Sequence, residues 1–454
     1  MREALPPGVA AGEWPTADGR PVIWALLRGR SPRTALLLTH YDTVGVDDYE
    51  TLGHPAGAAI AFRPDALRAF LLERDPARLP DDVRRDLDQE RRAPGTWLFG
   101  RGALDMKSGI AAGLSALEIL AGDEARAGGV LFVACPDEEN ASAGMLRAIP
   151  EIAALAGPLA LRGALNLDFV ERPIAYEGVV GKRLLGLLVI GRSTHAARPF
   201  HGVDAAQWAA AIVDRITTSE ALTRAAGGIP PVALRMRDAK TRYDAQTGGS
   251  LELLRREIEA AIEDVARRTE VLARAGGLGA SRPRARVLAY DELRARTGGS
   301  SPGIEGVSDP RAASWAEIRR AARLADLHEP AVVIALLPPY YPQSPPRNAG
   351  LGSRLRPWLE GHGIGIEGFY PHISDASYLA WRGDDVADLA ALLPGWDRTY
   401  CLPVAASAGL DLDVVTLGPW GRDAHGAFER VEQRFAFEVL PGLIAGAVRE
   451  CVRA

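Results

Sequence analysis

Short apolar runs of strand length alternate along the chain with longer stretches of helical periodicity. The strand-like runs are PVIWALL, TALLLTH, GVLFVAC, GALNLDF and DVVTLG. The segments SGIAAGLSALEILAG and EVLPGLIAGAVRECV repeat apolar residues with the spacing of a helix that buries one face. Nearly continuous apolar strands are typical of sheets that are covered on both sides. The pattern therefore predicts an α/β domain whose parallel-rich sheet carries helices on both faces.

A different pattern occupies the middle of the chain, from Gly181 onward. The runs KRLLGLLVIG, PPVALRM, RARVLAY and AVVIALL alternate there with helical segments at VDAAQWAAAIVDRI, about 251–273 and about 313–324. Strands and helices in two layers suit a separate α+β module inserted into the first domain. Pro and Gly cluster at both junctions, as is typical of domain boundaries. We expect a catalytic domain at 1–180 and 346–454 and an inserted module at 181–345.

Composition limits the partners of the protein. The 454 residues include 53 basic and 58 acidic side chains, and no block of Lys or Arg offers a footprint for nucleic acid. Cys135, Cys401 and Cys451 are widely separated and support neither a disulfide framework nor a thiolate metal site. No apolar signal core opens the sequence, and no run reaches the roughly 20 apolar residues of a membrane span. We expect a cytoplasmic protein with a small-molecule or peptide substrate and neither a nucleic-acid nor a membrane partner.

Histidines and acids lie at or shortly beyond the ends of the predicted strands of the first domain, or after a glycine-rich turn. In chain order they are His40, Asp42, Asp105, the run of Asp137, Glu138 and Glu139, then Asp168 and His425. Ligands of an open α/β sheet bind beyond the carboxyl ends of its strands. We therefore expect these segments to meet in one crevice, where two histidines among several carboxylates indicate a metal site.

So many carboxylates would repel one another unless cations neutralised them. Imidazole and carboxylate ligands without thiolates suit two divalent metal ions, zinc first, with manganese or cobalt as alternatives. One more carboxylate has to stay off the metals to take a proton from water, and Glu138 and Glu139 offer both roles between them. Two assignments stay open, because Asp105 also fits a helix N-cap and Glu171 competes with Asp168 as the acidic ligand.

Five motifs carry a resemblance to a known family. THYDTV, GRGALDMKSG, PDEENASAG, NLDF and GPWGRDAHGAFERV occur in this order. Together they resemble the co-catalytic dinuclear zinc peptidase and deacylase family, which includes acetylornithine deacetylase, succinyl-diaminopimelate desuccinylase, aminoacylases and glutamate carboxypeptidase. The resemblance covers nearly the whole chain. It implies that His40 and Asp168 bind one zinc ion, that Glu139 and His425 bind the other, and that Asp105 bridges the two.

The resemblance also implies roles for residues that do not bind metal. Asp42 orients His40. Glu138 is the general base, which takes a proton from water during amide hydrolysis and passes it to the leaving amine. Glu429 follows His425 by four residues, so we expect both on one helical face, with Glu429 supporting the histidine.

The inserted module resembles the lid and dimerisation domain of the same family. Its segment GRSTHAARPFHGVDAA places His195 as the donor that stabilises the oxyanion of the tetrahedral intermediate. A homodimer is therefore expected. Within the family, the chain resembles the branch of the arginine-utilisation protein. This resemblance lies in RDAKTRYDAQTGG, PPYYPQ, HISDASYLA and a long insert before WLFGRGALDMKSG. That insert has a helical pattern from Pro64 to Arg92.

The sequence departs from the family pattern at two places, and two other functions are alternatives. The family has a helix and a strand before its first histidine ligand, but only 39 residues precede His40, without a clear helix. His372 stands where the resemblance implies a small residue. A non-catalytic binding protein of this fold and a two-metal phosphoesterase are the alternatives. Arg101 and Arg198 are the candidates for the phosphate clamp that the second alternative needs.

Overall fold

The computed structural model describes residues 5–124, 126–225, 250–280, 282, 285–298, 309–382 and 386–453. It divides the chain into two compact units. The first unit comprises residues 1–180, 344–381 and 403–454, and the second comprises residues 181–343 and 382–402. Each unit has its own sheet and its own hydrophobic core.

Fourteen strands lie in the described residues: β1 (Val9–Trp14), β2 (Val22–Leu27), β3 (Thr34–His40), β4 (Trp97–Phe99), β5 (Gly129–Cys135), β6 (Leu161–Asn166), β7 (Ile174–Val179), β8 (Lys182–Ile190), β9 (Arg286–Ala289), β10 (Ala331–Tyr341), β11 (Gly365–Tyr370), β12 (Val414–Thr416), β13 (Gly421–Arg422) and β14 (Arg430–Glu432).

The α-helices of the described residues are α1 (Pro64–Glu73), α2 (Asp81–Arg92), α3 (Ser108–Ala121), α4 (Ala143–Ala156), α5 (Ala205–Thr218), α6 (Glu220–Ala225), α7 (Ser250–Ala275), α8 (Tyr290–Ala295), α9 (Pro310–Leu324), α10 (Leu351–Gly361), α11 (Val386–Leu392), α12 (Val404–Leu410) and α13 (Leu440–Arg453). Short 3-10 helices lie at Asp47–Leu52, Gly57–Phe62, Pro76–Arg78, Pro199–His201 and Asp375–Leu379, and π-helical turns at Ala103–Lys107 and Phe435–Val439.

The first unit is built on an eight-stranded sheet of order β1-β2-β5-β3-β6-β12-β7-β11. β5, β3, β6 and β12 run parallel to one another, whereas β2 and β7 are antiparallel to their neighbours in this group. Every residue of β3 and β5 is buried, as expected for strands that are covered on both faces. This architecture confirms the predicted fold class.

The core of the first unit lies between the sheet and three helices. Leu37, Phe132 and Leu165 project from β3, β5 and β6 into one buried cluster. α3, α10 and α13 complete that cluster, while α4 packs against β2 and β5 outside it. Burial of apolar surface stabilises the packing of these helices on the strands, by roughly 25 cal/mol per Å² of apolar area.

Residues 47–92, called the insertion below, add a small core of their own to the first unit. The 3-10 helices after Asp47 and the helices α1 and α2 bury apolar side chains against β4. Tyr49, Leu67, Leu87 and Trp97 are at most 2% exposed. The insertion is therefore a packed element and not a loose loop.

The second unit is a three-stranded sheet of order β8-β10-β9, in which β8 is antiparallel and β9 parallel to β10. Alternate residues of β10 enter two separate cores. Val332 and Ile334 pack with α5 and α7, whereas Val333 and Ala335 pack with α8 and α9. The two-layer arrangement expected from the sequence is therefore wrong, since helices cover both faces of this sheet.

The segment 382–402 is a further difference from the sequence-based bounds. The sequence assigned it to the catalytic domain, but its contacts are with the second unit. The Tyr400 hydroxyl accepts from the Tyr340 amide at 2.9 Å, and Arg398 donates to the buried Glu317 carboxylate at 2.6 Å. The predicted strand PPVALRM and the segment RDAKTRYDAQTGG lie outside the described residues.

Candidate metal centre

Three adjacent parallel strands carry acids and a histidine to one edge of the large sheet. β3 ends at His40, which pairs with Cys135 at the end of β5. β6, the other neighbour of β3, ends at Asn166. Glu139 and Asp168 follow β5 and β6 by a few residues. Because both strands are parallel to β3, these acids lie at the same edge of the sheet as His40.

Asp105 lies between two histidines. Its Oδ1 is 3.1 Å from His40 Nε2, and its Oδ2 is 2.9 Å from His425 Nε2. Glu139 Oε2 is 3.0 Å from the same nitrogen of His425. The potential ligand atoms of His40, Asp105 and Asp168 lie within 4.8 Å of one another, and so do those of Asp105, Glu139 and His425. The structure thus forms two groups of three that share Asp105.

The donor set fits two divalent cations. Each group offers one imidazole and two carboxylates, which is a common ligand set for catalytic zinc and related ions. Glu139 Oε1 is buried and accepts no hydrogen bond from the residues that the structure describes. A buried carboxylate oxygen without a partner is unfavourable. A cation between the ligands would remove that penalty.

The pKa values show how strongly negative this site is. Burial disfavours the charged form of His425, but hydrogen bonds to Asp105 and Glu139 outweigh it and raise the pKa of His425 to about 10. The pKa of His40 is raised well above its usual range for the same reason, by Asp105 and Asp42 against burial. Burial, aided by the charge of Asp105, raises the pKa of Asp168 to about 7. Burial and the crowding of carboxylates thus favour the protonated forms of these side chains.

Asp42 links the first histidine to the loop after β5. Its backbone carbonyl is 3.2 Å and its Oδ1 3.5 Å from His40 Nδ1, and its two carboxylate oxygens accept from the amides of Glu138 and Glu139, at 3.2 Å each. Hydrogen bonds of this kind orient ligands and raise their basicity. Glu138 belongs to neither group of three. Its carboxyl is half-buried, and burial is the main cause that raises its pKa well above the usual range.

The structure places Asp168 and Glu171 in different surroundings. Asp168 is buried beside His40, whereas Glu171 is exposed and its carboxylate is 3.9 Å from His372 Nε2. Asp105 is not the N-cap of α3 either, because Lys107 holds that place without a side-chain bond. The structure therefore groups Asp105 and Asp168 with the histidines.

Glu429 does not support His425 in the way expected from the sequence. Residues 423–429 form a turn, His425 has a positive φ of 67°, and no helical face exists there. Instead, Glu429 Oε1 accepts from the amides of Leu104 and Asp105, at 3.1 Å each, and Arg101 donates to Glu429 Oε2 at 2.6 Å. Arg101, whose side chain is 1% exposed, is therefore engaged inside the protein and is not a phosphate clamp.

His195 belongs to the second unit, where it is exposed in the loop after β8. The Ala197 amide donates to His195 Nδ1 at 3.1 Å. Because Nδ1 accepts this bond, the neutral ring carries its proton on Nε2. The side chain thus presents a donor, as the predicted oxyanion role requires.

One buried acid near the site was missed by the sequence reasoning. Asp375 opens a 3-10 helix and is 3% exposed. Burial raises the pKa of its carboxyl to about 7, and the charges of His40, Asp42 and Asp168 also act on it. The signal was present in the motif HISDASYLA, where an acid stands in a segment that is otherwise mostly apolar.

Comparison with known proteins identifies the family. Residues 81–323, more than half of the chain, match the model of peptidase family M20/M25/M40. The chain belongs to this family. The resemblance predicted from the five motifs is thereby confirmed, and the protein is a metal-dependent hydrolase.

Two proteins of Bacillus subtilis (strain 168) are similar to almost the whole chain. The uncharacterized protein YqjN is 28% identical over an alignment of 488 positions, which includes 95% of this chain and 86% of YqjN. Protein RocB is 26% identical over an alignment of 483 positions, which includes 93% of this chain and 83% of RocB. The similarity to RocB supports the predicted branch.

Solved structures show the same fold. A tripeptidase from Staphylococcus aureus aligns with 98% of this chain and 90% of its own, with a TM-score of 0.50 and 13% identity. Aminopeptidase PepT from Bacillus cereus aligns over the same shares, with a TM-score of 0.50 and 12% identity. No helix in the described part of the chain is long and apolar enough to cross a membrane.

Proposed function

We propose that this M20 family member hydrolyses an amide bond in a peptide or an N-acyl amino acid at a pair of divalent metal ions, zinc first and manganese or cobalt as alternatives. The observation that carries the proposal is the sharing of Asp105 by two groups of ligands. A carboxylate that is shared by two groups of ligands suits a site for two metal ions. His40 and Asp168 hold one ion, and Glu139 and His425 hold the other.

The metal ions, when bound, polarise the scissile carbonyl and make water acidic enough to lose a proton near neutral pH. Glu138 is the residue that receives this proton. It is adjacent to Glu139 in the chain and belongs to neither ligand group. It then transfers the proton to the nitrogen of the leaving amine, which lets the amide bond break. Asp42 fixes both His40 and the loop that carries Glu138.

His195 supplies the remaining part of the proposed mechanism. Its Nε2–H can donate a hydrogen bond to the oxygen of the scissile carbonyl as negative charge develops there. Since His195 is on the second unit, this step requires closure of that unit over the site or delivery from a partner subunit in a homodimer. The second unit is thus proposed to be the lid and dimerisation domain.

The narrower proposal is a role in arginine or amino-acid utilisation in the cytoplasm. It is supported by the similarity to RocB and by the insert and the motifs that led to that branch. A deacylase acting on an N-acyl amino acid and an exopeptidase need the same metal centre, so the substrate assay chooses between them. A phosphoesterase would have to use Arg198 as its phosphate clamp, because the Arg101 guanidinium is bound to Glu429 and Asp48.

A hydrolysis screen tests the proposal. N-acyl-arginine, N-acyl-ornithine, dipeptides and a phosphate ester are incubated with protein reconstituted with Zn²⁺, Mn²⁺ or Co²⁺. We expect turnover of at least one amide and none of the ester, and we expect Glu138→Gln to abolish amide turnover in a parallel preparation. Hydrolysis of the ester alone, or amide turnover that Glu138→Gln leaves unchanged, would refute the proposed reaction or the proposed base.

A further inference from the structure

The loop that carries His425 has little regular structure to hold it. Residues 423–429 form consecutive turns between β13 and β14, and Asp423 and His425 both have positive φ angles. Three short-range bonds hold the turn: the Phe428 amide donates to Asp423 Oδ2 at 2.9 Å, the Gly426 amide to the Asp423 carbonyl at 2.8 Å, and the Glu429 amide to the Gly426 carbonyl at 3.2 Å. His40 and Asp168, by contrast, lie at or just beyond the ends of buried central strands. The two metal positions therefore depend on different kinds of support.

Arg101 provides much of the support for the turn. Its guanidinium donates to Glu429 Oε2 at 2.6 Å, to the backbone carbonyl of His425 at 3.1 Å and to both oxygens of Asp48 at 3.0 and 3.1 Å. Its Nε donates to the Gly45 carbonyl at 3.2 Å. A planar guanidinium has five donors in a fixed fork, whereas a lysine has three on a single nitrogen. Only arginine can make all of these bonds from one place.

Glu429 extends this support to the shared ligand. It is fully buried, and its Oε1 accepts from the consecutive amides of Leu104 and Asp105. Its Oε2 is bound by Arg101, which also binds the His425 carbonyl. The pair of Arg101 and Glu429 thus connects the backbone of one ligand to the backbone of another.

The insertion is joined to the same assembly at two places. Asp48, at its start, binds Arg101. Arg430, the residue after Glu429, is fully buried and donates to Asp86 at 2.7 Å and to Asp82 at 2.8 Å, both on α2. The insertion is therefore bonded to Arg101 through Asp48 and to Arg430 through Asp82 and Asp86.

On the basis of the proposed two-metal site, we propose that Arg101, Glu429 and Asp48 form a positioning assembly that sets the affinity of the metal position held by Glu139 and His425. The assembly fixes the distance between the backbones of Asp105 and His425, and through Asp48 it makes that distance depend on the insertion. Loss of a residue that orients ligands typically costs about 10–100-fold in metal affinity. The position held by His40 and Asp168 is linked to the assembly only through the shared Asp105, so the larger effect is expected at the position held by Glu139 and His425.

The test is a titration of metal-free protein with Co²⁺, followed by visible absorption and by elemental analysis after removal of free metal. The test variants are Arg101→Met and Asp48→Asn, and Arg68→Met is the matched control. Arg68 is an insertion arginine that donates to Glu90, inside the insertion. His40→Ala and His425→Ala give the reference titrations for loss of each position. Thermal unfolding of each metal-free variant reports whether it is folded.

We expect wild-type protein to bind two ions, and we expect Arg68→Met to bind them with the wild-type affinity at each step. Arg101→Met should weaken one binding step by about 10–100-fold and resemble His425→Ala, and Asp48→Asn should weaken the same step by a smaller factor. Wild-type affinities in folded Arg101→Met, or equal weakening of both steps, would overturn the proposal. If Arg101→Met does not fold, Asp48→Asn decides in the same way. Uptake of fewer than two ions by the wild type would instead count against the proposed two-metal site itself.

Discussion

Exchanging Glu138 and Glu139 separately for glutamine should separate catalysis from metal binding. The two residues are adjacent, and both of their amides are held by Asp42 at 3.2 Å. Because the loop is fixed through its backbone, each exchange alters one side chain and leaves the fold of the loop in place. Glu139 is one of the three residues of the group that contains His425, whereas Glu138 is in neither group of three.

The expected magnitudes follow from these positions. Glu138→Gln should keep both ions and lower kcat by about 10²–10⁴-fold, which is the usual contribution of a general base and corresponds to about 3–5 kcal/mol in the activation free energy. Glu139→Gln removes a charged ligand next to His425, so it should lower the occupancy of that position while the ion held by His40 stays bound.

Elemental analysis of each variant after gel filtration, together with kcat for the best amide substrate, measures both effects. Wild-type protein reconstituted in parallel is the control. If the two variants lost the same amount of metal, or if Glu138→Gln kept full turnover, the division of roles between the two glutamates would be wrong.

Further predictions concern the surroundings of the site. Asp42→Asn should weaken metal binding by about 10–100-fold in a calorimetric titration, because the amide cannot accept from both Glu138 and Glu139. Metal affinity should rise from pH 6 to pH 8, and unchanged affinity would contradict the reasoning. His425, with a pKa near 10, and Asp168, with a pKa near 7, release protons on binding. Because these pKa values are raised in the folded state, the metal-free protein also becomes less stable as pH rises. For His425 this loss of stability occurs between pH 6.5 and about 10, and thermal unfolding measures it. His195→Ala should keep its metal and lose about 10²-fold or more in kcat, and full activity would reject the role. Verified mixed dimers of His195→Ala and Glu138→Ala regain activity only if the histidine acts on the partner's site.

The sheet and the ligands at its edge were predictable because their signals are local. TALLLTH and GVLFVAC are continuous apolar runs, and both form fully buried strands at the positions expected. A buried parallel strand ends where its polar residues begin, so the side chains of His40 and Glu139 are found at the same edge. Chain order and strand direction are sufficient for this inference.

The support of His425 was not predictable, because it depends on contacts between residues far apart in the chain. A spacing of four residues suggests one helical face, but His425 adopts a left-handed backbone conformation that ends any such pattern. Glu429 then bonds to residues more than 320 positions earlier. Likewise, 382–402 packs with the second unit through the side chains of Arg398 and Tyr400, which no periodicity reveals.

The central claim is that two ions sharing Asp105 support amide hydrolysis, and the most direct test is to follow activity during metal reconstitution. Metal-free protein is titrated with Zn²⁺ while bound metal and hydrolysis of the best amide substrate are measured in the same samples. We expect uptake of two ions per chain and amide turnover that appears with them, and we expect Asp105→Asn to lose affinity at both positions. Full turnover without bound metal, or two ions bound with wild-type affinity by folded Asp105→Asn, would contradict the claim.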